Sequence, residues 1–325
     1  MESSKKKPLL WFSKRTLYLP SLEKRSLRCM HKQFLVYKKE ITDVLYEFFK
    51  NKQKELVNVN AWGSDVCNRY LSFATQGKMI RGCLTILGYE MFTNQSSDEV
   101  IKLAAAMEIF QSAILIHDDI MDRDTMRRGA KTMFAQYQDI GEKKKVNDAL
   151  HFGESMGICV GDLGFFFAFE LLANIPKIQS IVARELTNVG IAQMQDVDFG
   201  YSKTMPNEQA ILNLYRYKTA RYTFSLPLMV GSIVAGQSDK TVKTLEKLGE
   251  NLGIIFQLKD DQLDAESDLR EGKKTFVGLY GEKRTQKKIS DLSIQAKDGI
   301  YKLPMAKQWT HILLELLEYN TKRIQ

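Results

Sequence analysis

The stretch Asp118-Asp119-Ile120-Met121-Asp122 is matched in pattern by Asp260-Asp261-Gln262-Leu263-Asp264, and both follow apolar runs with helical spacing. In a helix, the first and last aspartates of each run are four residues apart and lie on one face. Carboxylates crowded at the end of an apolar helix repel one another unless a cation lies between them. Mg²⁺ is the ion that combines carboxylate oxygens with waters and substrate phosphates. We therefore expect a paired Mg²⁺ site formed by the two runs; the alternative is a pair of solvated helix ends.

The composition is that of a soluble globular protein. The chain has 325 residues, of which 44% are hydrophobic and 26% charged, and it contains only 6 prolines. The richest apolar run, residues 164–175, is shorter than a membrane span, so we expect none. The four cysteines (Cys29, Cys67, Cys83 and Cys159) have no C-x-x-C spacing and no secretory context, which indicates reduced core thiols in a cytoplasmic protein.

The chain is basic, with a formal net charge of +8. Such an excess suits nucleic acid, anionic lipid or a polyphosphate substrate. No nucleic-acid-binding motif accompanies the basic residues, so we expect no nucleic-acid partner. Residues 1–32 form a basic N-terminal arm, for which a solvated surface and a peripheral contact with a membrane both stay open. We assign residues 33–325 to one domain.

Helical periodicity continues through most of residues 33–323, without a period-2 segment or an internal repeat. The pattern predicts an all-α, single-domain bundle of roughly ten helices around a central cavity. We expect residues 125–141 to be irregular. We also expect a break between a helix that ends near Lys218 and another that begins at Tyr222.

Basic pairs stand close to both acidic runs. Lys78 and Arg81 share a helix face, Arg127 and Arg128 follow the first run, and Lys218 and Lys273 flank the second. Arginine forks match phosphate oxygens in bidentate fashion. Each pair alone is typical of a protein surface. Their joint placement beside the acidic runs favours a site for a diphosphate.

These elements, in this order, resemble the trans-isoprenyl diphosphate synthases, which include the farnesyl and geranylgeranyl diphosphate synthases. The resemblance covers about residues 35–280 and implies the isoprenoid synthase fold and a homodimer. It rests on Gly77-Lys78-Met79-Ile80-Arg81, His117 with the first acidic run, Arg127-Arg128-Gly129, Gly161-Asp162, Gln193-Met194-Gln195-Asp196, Lys218-Thr219, and Phe256-Gln257-Leu258-Lys259 with the second acidic run.

The resemblance implies a Mg²⁺-dependent polyprenyl diphosphate synthase that joins isopentenyl diphosphate head-to-tail to an allylic diphosphate and releases diphosphate. Breaking the allylic C–O bond requires that the leaving charge is already met by cations. By resemblance, three Mg²⁺ ions bridge the allylic diphosphate to Asp118, Asp122 and Asp260, and Asp119, Asp261 and Asp264 hold metal-bound waters or act as further ligands. The implied substrate-binding residues are Arg127, Lys218 and Lys273 for the allylic diphosphate, Lys78, Arg81, Gln111 and Arg128 for isopentenyl diphosphate, and Gln193 for a substrate left open. The Lys218 carbonyl, the Thr219 hydroxyl and the Gln257 amide are implied to stabilise the allylic cation.

The chain departs from the family pattern in three places. Gln111 stands where many members have His, and Ala130-Lys131-Thr132 replaces a frequent x-Pro-Thr. Only Ala265-Glu266-Ser267 precedes the segment from Asp268 to Lys273, where most members have a longer loop with a further Gly-Lys. Terpene cyclases lack the second D-D-x-x-D, and head-to-head synthases lack this R-R-G. A partner subunit of a heteromeric synthase stays an alternative, although such subunits usually lose one acidic motif.

Product length follows from the helix that precedes Asp118. Ala113 and Ile114 lie five and four residues before Asp118, Phe110 eight and Met107 eleven. The helical rise places Phe110 about 12 Å below the motif. Because the Ala113 methyl group is too small to stop a prenyl chain, we expect Phe110 to form the floor and geranylgeranyl diphosphate to be the product. Farnesyl and farnesylgeranyl diphosphate are the alternatives. A floor formed by the helix that carries residues 165–169 also stays open.

Overall fold

The computed structural model describes residues 27–172 and 175–323 as one helical bundle. Its α-helices are α1 (Leu27–Leu56), α2 (Ala61–Thr75), α3 (Ile80–Thr93), α4 (Asp98–Met121), α5 (Met133–Lys144), α6 (Ala149–Leu171), α7 (Pro176–Tyr201), α8 (Glu208–Leu214), α9 (Leu226–Val234), α10 (Asp239–Leu263), α11 (Ala265–Glu271), α12 (Phe276–Tyr280), α13 (Glu282–Tyr301) and α14 (Lys307–Lys322). A π-helical segment (Tyr215–Ser225) joins α8 to α9, and β1 (Met126–Arg127) pairs with β2 (Ala130–Lys131). The all-α, single-domain prediction is confirmed, although the short helices raise the number above the ten expected.

The first helix begins at Leu27, so residues 27–32 belong to α1 rather than to a separate arm. The rest of the expected basic arm lies outside the described residues. Cys67 and Cys83 are buried, whereas Cys29 and Cys159 are exposed, so that only two of the four free thiols are core residues.

Residues 125–141 are ordered, contrary to the expectation of an irregular segment. Arg128 and Gly129 both have positive φ (53° and 79°), as a two-residue hairpin turn of the I′ type requires, and they join β1 to β2. Helix α5 follows directly and buries Phe134 and Tyr137. Its many polar residues obscured the helical period in the sequence.

A row of glycines on α6 brings this helix against α4. A Cβ atom built on Gly161 would lie 2.4 Å from His117 Nε2, and one on Gly164 would lie 2.9 Å from the Ala113 Cβ atom. Side chains at these glycines would push the helices apart. The close contact fixes the rotation of α4 and therefore the direction of the first acidic run.

The expected break between Lys218 and Tyr222 does not exist. The helix instead changes to π geometry over Tyr215–Ser225 and continues into α9. A Cβ atom built on Gly253 of α10 would lie 2.3 Å from the Ala220 Cα atom, so the π segment rests directly on α10. Helices with π geometry frequently mark functional sites, because the wider turn redirects side chains.

Two helices, α4 and α6, are long and apolar enough to span a membrane by length and composition, which corrects the expectation from the sequence. In α4, 67% of the apolar window is buried inside the bundle, as in the core helix of a soluble protein. In α6 the buried share is 39%, and Ile158 and Phe166 are exposed.

Candidate active site

Two adjoining chambers lie in the bundle, a polar one between α4, α7, α10 and the π segment and an apolar one between α4, α6, α7 and the π segment. The polar chamber has a volume of about 990 Å³ and contains residues of both acidic runs: Asp122, Asp260, Asp261 and Asp264. The apolar chamber has a volume of about 620 Å³ and is lined chiefly by Ile114, Leu115, Phe165, Phe169, Leu186 and Val189. Both chambers are lined by Met121, Gln193, Lys218 and Thr219, so the two chambers adjoin.

The first acidic run ends α4 at the junction of the chambers. Gln193 Nε2 donates a hydrogen bond to Asp118 Oδ1 at 3.1 Å, and Lys218 Nζ lies 3.9 Å from the same oxygen. Asp122 caps the C-terminus of α4 and has an exposed side chain. These two carboxylates, four residues apart, share the face that the sequence predicted.

Asp119 points away from both chambers. Its side chain is fully buried, one oxygen accepts a hydrogen bond from Arg127 Nε, and the other has no hydrogen-bond partner in the described residues. Burial raises the pKa of Asp119 to about 6, with Arg127 opposing the shift. In this structure Asp119 therefore orients Arg127 instead of facing the polar chamber as a ligand would.

The second acidic run has the same division between exposed and buried carboxylates. Asp261 is buried and accepts hydrogen bonds from Tyr215 Oη, from Gln257 Nε2 at 3.2 Å and from the Phe276 backbone N–H at 3.3 Å. Asp260 pairs with Arg323 Nη1 at 2.8 Å. Burial raises the pKa of each carboxyl to about 6.

The donor set fits Mg²⁺ by its chemistry. Asp118 and Asp122 on one side and Asp260 and Asp264 on the other supply only carboxylate oxygens, which Mg²⁺ prefers. Burial disfavours the charged form of Asp260, and a bound cation would relieve that penalty. No three acidic, His or Cys side chains converge on one point among the described residues. Any ion here would thus complete its shell with waters and ligand phosphates, as Mg²⁺ does.

Two of the predicted cations line the polar chamber. Lys218 pairs with Asp196, a residue to which the sequence gave no separate role. Burial lowers the pKa of Lys218, but Asp196 and Asp118 outweigh it and hold the pKa above its ordinary value. Lys273 is exposed, and its Nζ atom lies 3.7 Å from Asp268 Oδ1.

The cations expected to bind isopentenyl diphosphate come from α3 and the β-hairpin. Arg81 Nη2 donates to Thr223 Oγ1 at 2.6 Å, and its guanidinium covers the Tyr222 ring at 4.6 Å. The Arg81 Nε atom is buried without a partner in the described residues, and burial lowers the pKa of this guanidinium. Arg81 and Gln111 both line the apolar chamber.

The Arg128 guanidinium lies against Gly77, the residue before Lys78. A Cβ atom built on Gly77 would lie 2.9 Å from Arg128 Nη1. Lys78 follows Gly77 directly and is exposed at the start of α3. Its charge, together with that of Arg323, partly offsets the effect of burial on the pKa of Asp260. Lys78 therefore lies close enough to the second acidic run to affect Asp260.

Thr219 and Gln257 form one hydrogen-bonded chain at the junction. Thr219 Oγ1 donates to Gln257 Oε1 at 3.2 Å, and Gln257 Nε2 donates to Asp261 Oδ1 at 3.2 Å. The π segment makes this contact because it rests on the glycines of α10. The chain fixes the direction in which both dipoles point.

Only one of the four expected chain-length residues lines the apolar chamber, namely Ile114. Phe110 is fully buried and packs against the Phe169 ring with a centroid distance of 5.1 Å. Ala113 and Met107 are also fully buried and absent from the chamber wall. The glycine contacts turn these residues toward the core, so the expectation that Phe110 forms the floor is not supported. Phe165 and Phe169 of α6 line the apolar chamber, which agrees with the alternative that α6 forms the floor.

The sequence reasoning missed Asp196, Tyr215 and Arg323. Asp196 had a weak signal, because it stands three residues after Gln193 in a matching segment. Arg323 had none, since it lies 63 residues from its partner Asp260 and close to the end of the chain.

Comparisons with known proteins agree with this geometry. Residues 64–299 match the model of the polyprenyl synthetase family. The short chain isoprenyl diphosphate synthase of Methanocaldococcus jannaschii is 30% identical over 66% of this chain, and the match spans 64% of that relative. The geranylgeranyl diphosphate synthase of Sulfolobus acidocaldarius is 30% identical over 77% of each chain.

A solved structure shares the fold. The geranylgeranyl pyrophosphate synthase of Corynebacterium glutamicum, complexed with isoprenyl diphosphate and magnesium, has a TM-score of 0.79 and 23% identity. The match covers 89% of this chain and 99% of that chain. The family model matches most of the length of this chain, and residues of both acidic runs line one chamber. This chain therefore belongs to the polyprenyl synthetase family.

Proposed function

We propose that this protein is a short-chain trans-prenyltransferase, which condenses isopentenyl diphosphate with an allylic diphosphate and releases diphosphate. The observation that carries the proposal is the junction of a carboxylate-lined polar chamber with an apolar one. An allylic diphosphate has the same division into an anionic head and an apolar tail. The two relatives described above are named as a short chain isoprenyl diphosphate synthase and a geranylgeranyl diphosphate synthase.

In the proposed reaction, the allylic C–O bond breaks and its electron pair leaves with the diphosphate. The alkene of isopentenyl diphosphate then forms the new C–C bond, and the released diphosphate takes the final proton. We propose that three Mg²⁺ ions bind to Asp118, Asp122, Asp260 and their neighbours. When bound, they would neutralise the negative charge of the departing diphosphate. Lys218, Arg127 and Lys273 add fixed positive charge on the same side.

Thr219 and Gln257 stabilise the developing allylic cation in this proposal. Their oxygens are held in a hydrogen-bonded chain at the junction, where the first carbon of the tail would lie. Dipoles that are already oriented need no reorganisation when the charge develops. Lys78, Arg81, Gln111 and Arg128 hold isopentenyl diphosphate.

We propose geranylgeranyl diphosphate as the main product, with farnesyl and farnesylgeranyl diphosphate as alternatives. The aromatic pair Phe165 and Phe169 lines the apolar chamber. These rings replace Phe110 as the proposed floor. A role as the partner subunit of a heteromeric synthase is not favoured, because both acidic runs are complete.

We further propose a homodimer in the cytoplasm. Ile158 and Phe166 on α6 and Ile191, Met194 and Val197 on α7 are exposed in the single chain. We propose that they form one apolar surface. Exposed apolar clusters of this kind mark interaction surfaces. A second copy of the chain would cover it.

An incubation of the purified protein with Mg²⁺, isopentenyl diphosphate and each allylic primer in turn tests the activity. We expect chain elongation that stops mainly at twenty carbons. Asp118→Ala and Asp260→Ala should each reduce turnover by several orders of magnitude, since they remove proposed metal ligands. Asp291→Ala, which changes an exposed residue of α13, is the matched control. Full activity in excess chelator would contradict the metal assignment.

A further inference from the structure

A separate cavity of about 600 Å³ lies between the first half of α10 and the end of α13. Three lysines on one face of α10 line it, Lys240, Lys243 and Lys247, and Lys302 completes the wall from α13. Lys240 precedes Asp260 by twenty residues on the same helix, which places it about 30 Å from the second acidic run. We name this space the lysine cavity.

The lysine cavity has an excess of positive charge. Within residues 27–172 and 175–323, no ion pair forms at Lys240, Lys243 or Lys302. Lys247 Nζ lies 3.0 Å from Glu250 Oε1. Among the described residues, the one carboxylate that lines the cavity belongs to Asp239. Its Oδ1 atom lies 3.3 Å from Lys177 Nζ, so it already pairs with a lysine that does not line the cavity. Like charges that line a concave surface raise the local concentration of anions.

Asn251 gives a second and independent indication of a ligand. It is only 1% exposed, it lines the cavity, and its Oδ1 atom has no hydrogen-bond partner in the part of the chain that the structure describes. Buried polar groups in native proteins are nearly always hydrogen-bonded. A half-turn about the Cβ–Cγ bond exchanges the amide oxygen and NH2 group, so Asn251 can donate to a bound acceptor. A solvated row of surface lysines would not explain a buried amide oxygen without a partner among the residues that line the same cavity.

We propose that the lysine cavity binds a phosphorylated anion that carries at least two negative charges. The ammonium groups of Lys240, Lys243 and Lys302 donate to phosphoryl oxygens, and the Asn251 amide hydrogen-bonds the ligand at the base of the cavity. Charge-assisted hydrogen bonds of this type are the strong ones. The volume lies within the range of about 300–1,000 Å³ that is typical of small-molecule sites. The phosphoryl group belongs either to a free diphosphate or to the headgroup of a lipid.

Calorimetric titration of the full chain with inorganic diphosphate tests whether the ligand of the lysine cavity is a free diphosphate. The buffer contains a chelator, because the lysine cavity uses no metal, unlike the polar chamber of the proposed active site. Lys243→Ala and Lys302→Ala should each weaken binding roughly tenfold, the size of one charge-assisted hydrogen bond. Lys287→Ala removes the same charge from an exposed position of α13 outside the cavity and should have no effect.

Flotation with phosphatidylcholine vesicles, with and without phosphatidic acid, tests the lipid source. Loss of phosphatidic-acid-dependent binding in Lys243→Ala and Lys302→Ala, but not in Lys287→Ala, would support a headgroup ligand. Asn251→Asp places a negative charge at the base and should abolish binding of either ligand, with thermal unfolding used to verify the fold. Binding that Lys218→Ala removes but Lys243→Ala does not would place the anion in the polar chamber and overturn the proposal. Equal binding by all variants in both experiments would overturn it as well.

Discussion

At the scale of single residues, the structure separates neighbouring carboxylates that the sequence treats alike. Asp260 lines the polar chamber and pairs with Arg323, whereas Asp261 holds Tyr215, Gln257 and the start of α12. Asp118 and Asp119 are divided in the same way, with Asp119 engaged by Arg127. Asp119 is thus withdrawn from both chambers, whereas Asp261 lines the polar chamber and also supports the residues around it.

The raised pKa values predict how pH changes stability. Folding raises the pKa of Asp260 from 3.8 to about 6, so the unfolded chain loses this proton first as pH rises. The raised pKa of Asp260 therefore stabilises the folded protein fully below pH 3.8, and this stabilisation is lost as the pH rises through about 6. Cation binding needs the ionised form and has the opposite dependence. We expect Mg²⁺ to raise the unfolding temperature more at about pH 7.5 than at about pH 5.

Thermal unfolding with and without Mg²⁺ at the two pH values measures this difference. Asp260→Asn, which cannot ionise, should remove most of it. A Mg²⁺ effect that is equal at both pH values would show that Asp260 does not contribute to cation binding.

Arg323 should compete with Mg²⁺ for Asp260. Its guanidinium pairs with this carboxylate and covers the Phe256 ring at 4.3 Å. The negative charge of Asp260 is therefore already neutralised in the metal-free protein. Arg323→Ala removes the competitor and should lower the Mg²⁺ concentration needed for half-maximal activity. Lys322→Ala changes the preceding exposed residue, which pairs with Glu318, and is the control. An unchanged Mg²⁺ requirement in Arg323→Ala would contradict the competition.

At the scale of elements, two close helix contacts build the site. The glycines of α6 set the rotation of α4, and Gly249 and Gly253 of α10 receive the π segment. The first contact turns Asp118 toward the chambers, and the second brings Thr219 within hydrogen-bond distance of Gln257. Both contacts depend on residues without a side chain, which permit helices to approach closely.

Product length should depend on α6 rather than on Phe110. Phe165 and Phe169 line the apolar chamber, while Phe110 packs behind Phe169. Phe169→Ala should extend the chamber and shift the product toward twenty-five carbons or more. Phe110→Ala is the matched control, because it removes the same ring outside the wall; it should cost about 3–5 kcal/mol of stability and leave the product distribution unchanged. Chromatography of the dephosphorylated products measures both outcomes, and longer products from Phe110→Ala alone would restore Phe110 as the floor.

At the scale of the whole molecule, the apolar surface on α6 and α7 predicts self-association. Phe166 is 69% exposed and Met194 is 68% exposed, which is unfavourable for side chains of this size in water. Phe166→Glu places a charge on the proposed surface and should convert the proposed dimer into monomers. Tyr46→Glu, at an equally exposed aromatic of α1, should have no such effect. Light scattering coupled to size-exclusion chromatography measures the mass, and a monomeric unmodified protein would refute the prediction.

The sequence by itself determined the helical class, the two acidic runs and the cations at Lys78, Arg81, Arg127, Arg128 and Lys218. These features depend on residue type and local spacing, and the helical period places Asp118 and Asp122 on one face whatever the surroundings. The period gives only relative directions, however, and the absolute rotation of a helix is set by the helices packed against it. Tertiary structure therefore decided that Asp119 is buried beside Arg127, that Phe165 and Phe169 replace Phe110 at the chamber wall, and that Arg323 meets Asp260. The π segment likewise depends on contact with α10, which brings Ala220 against Gly253 from more than thirty residues away in the chain.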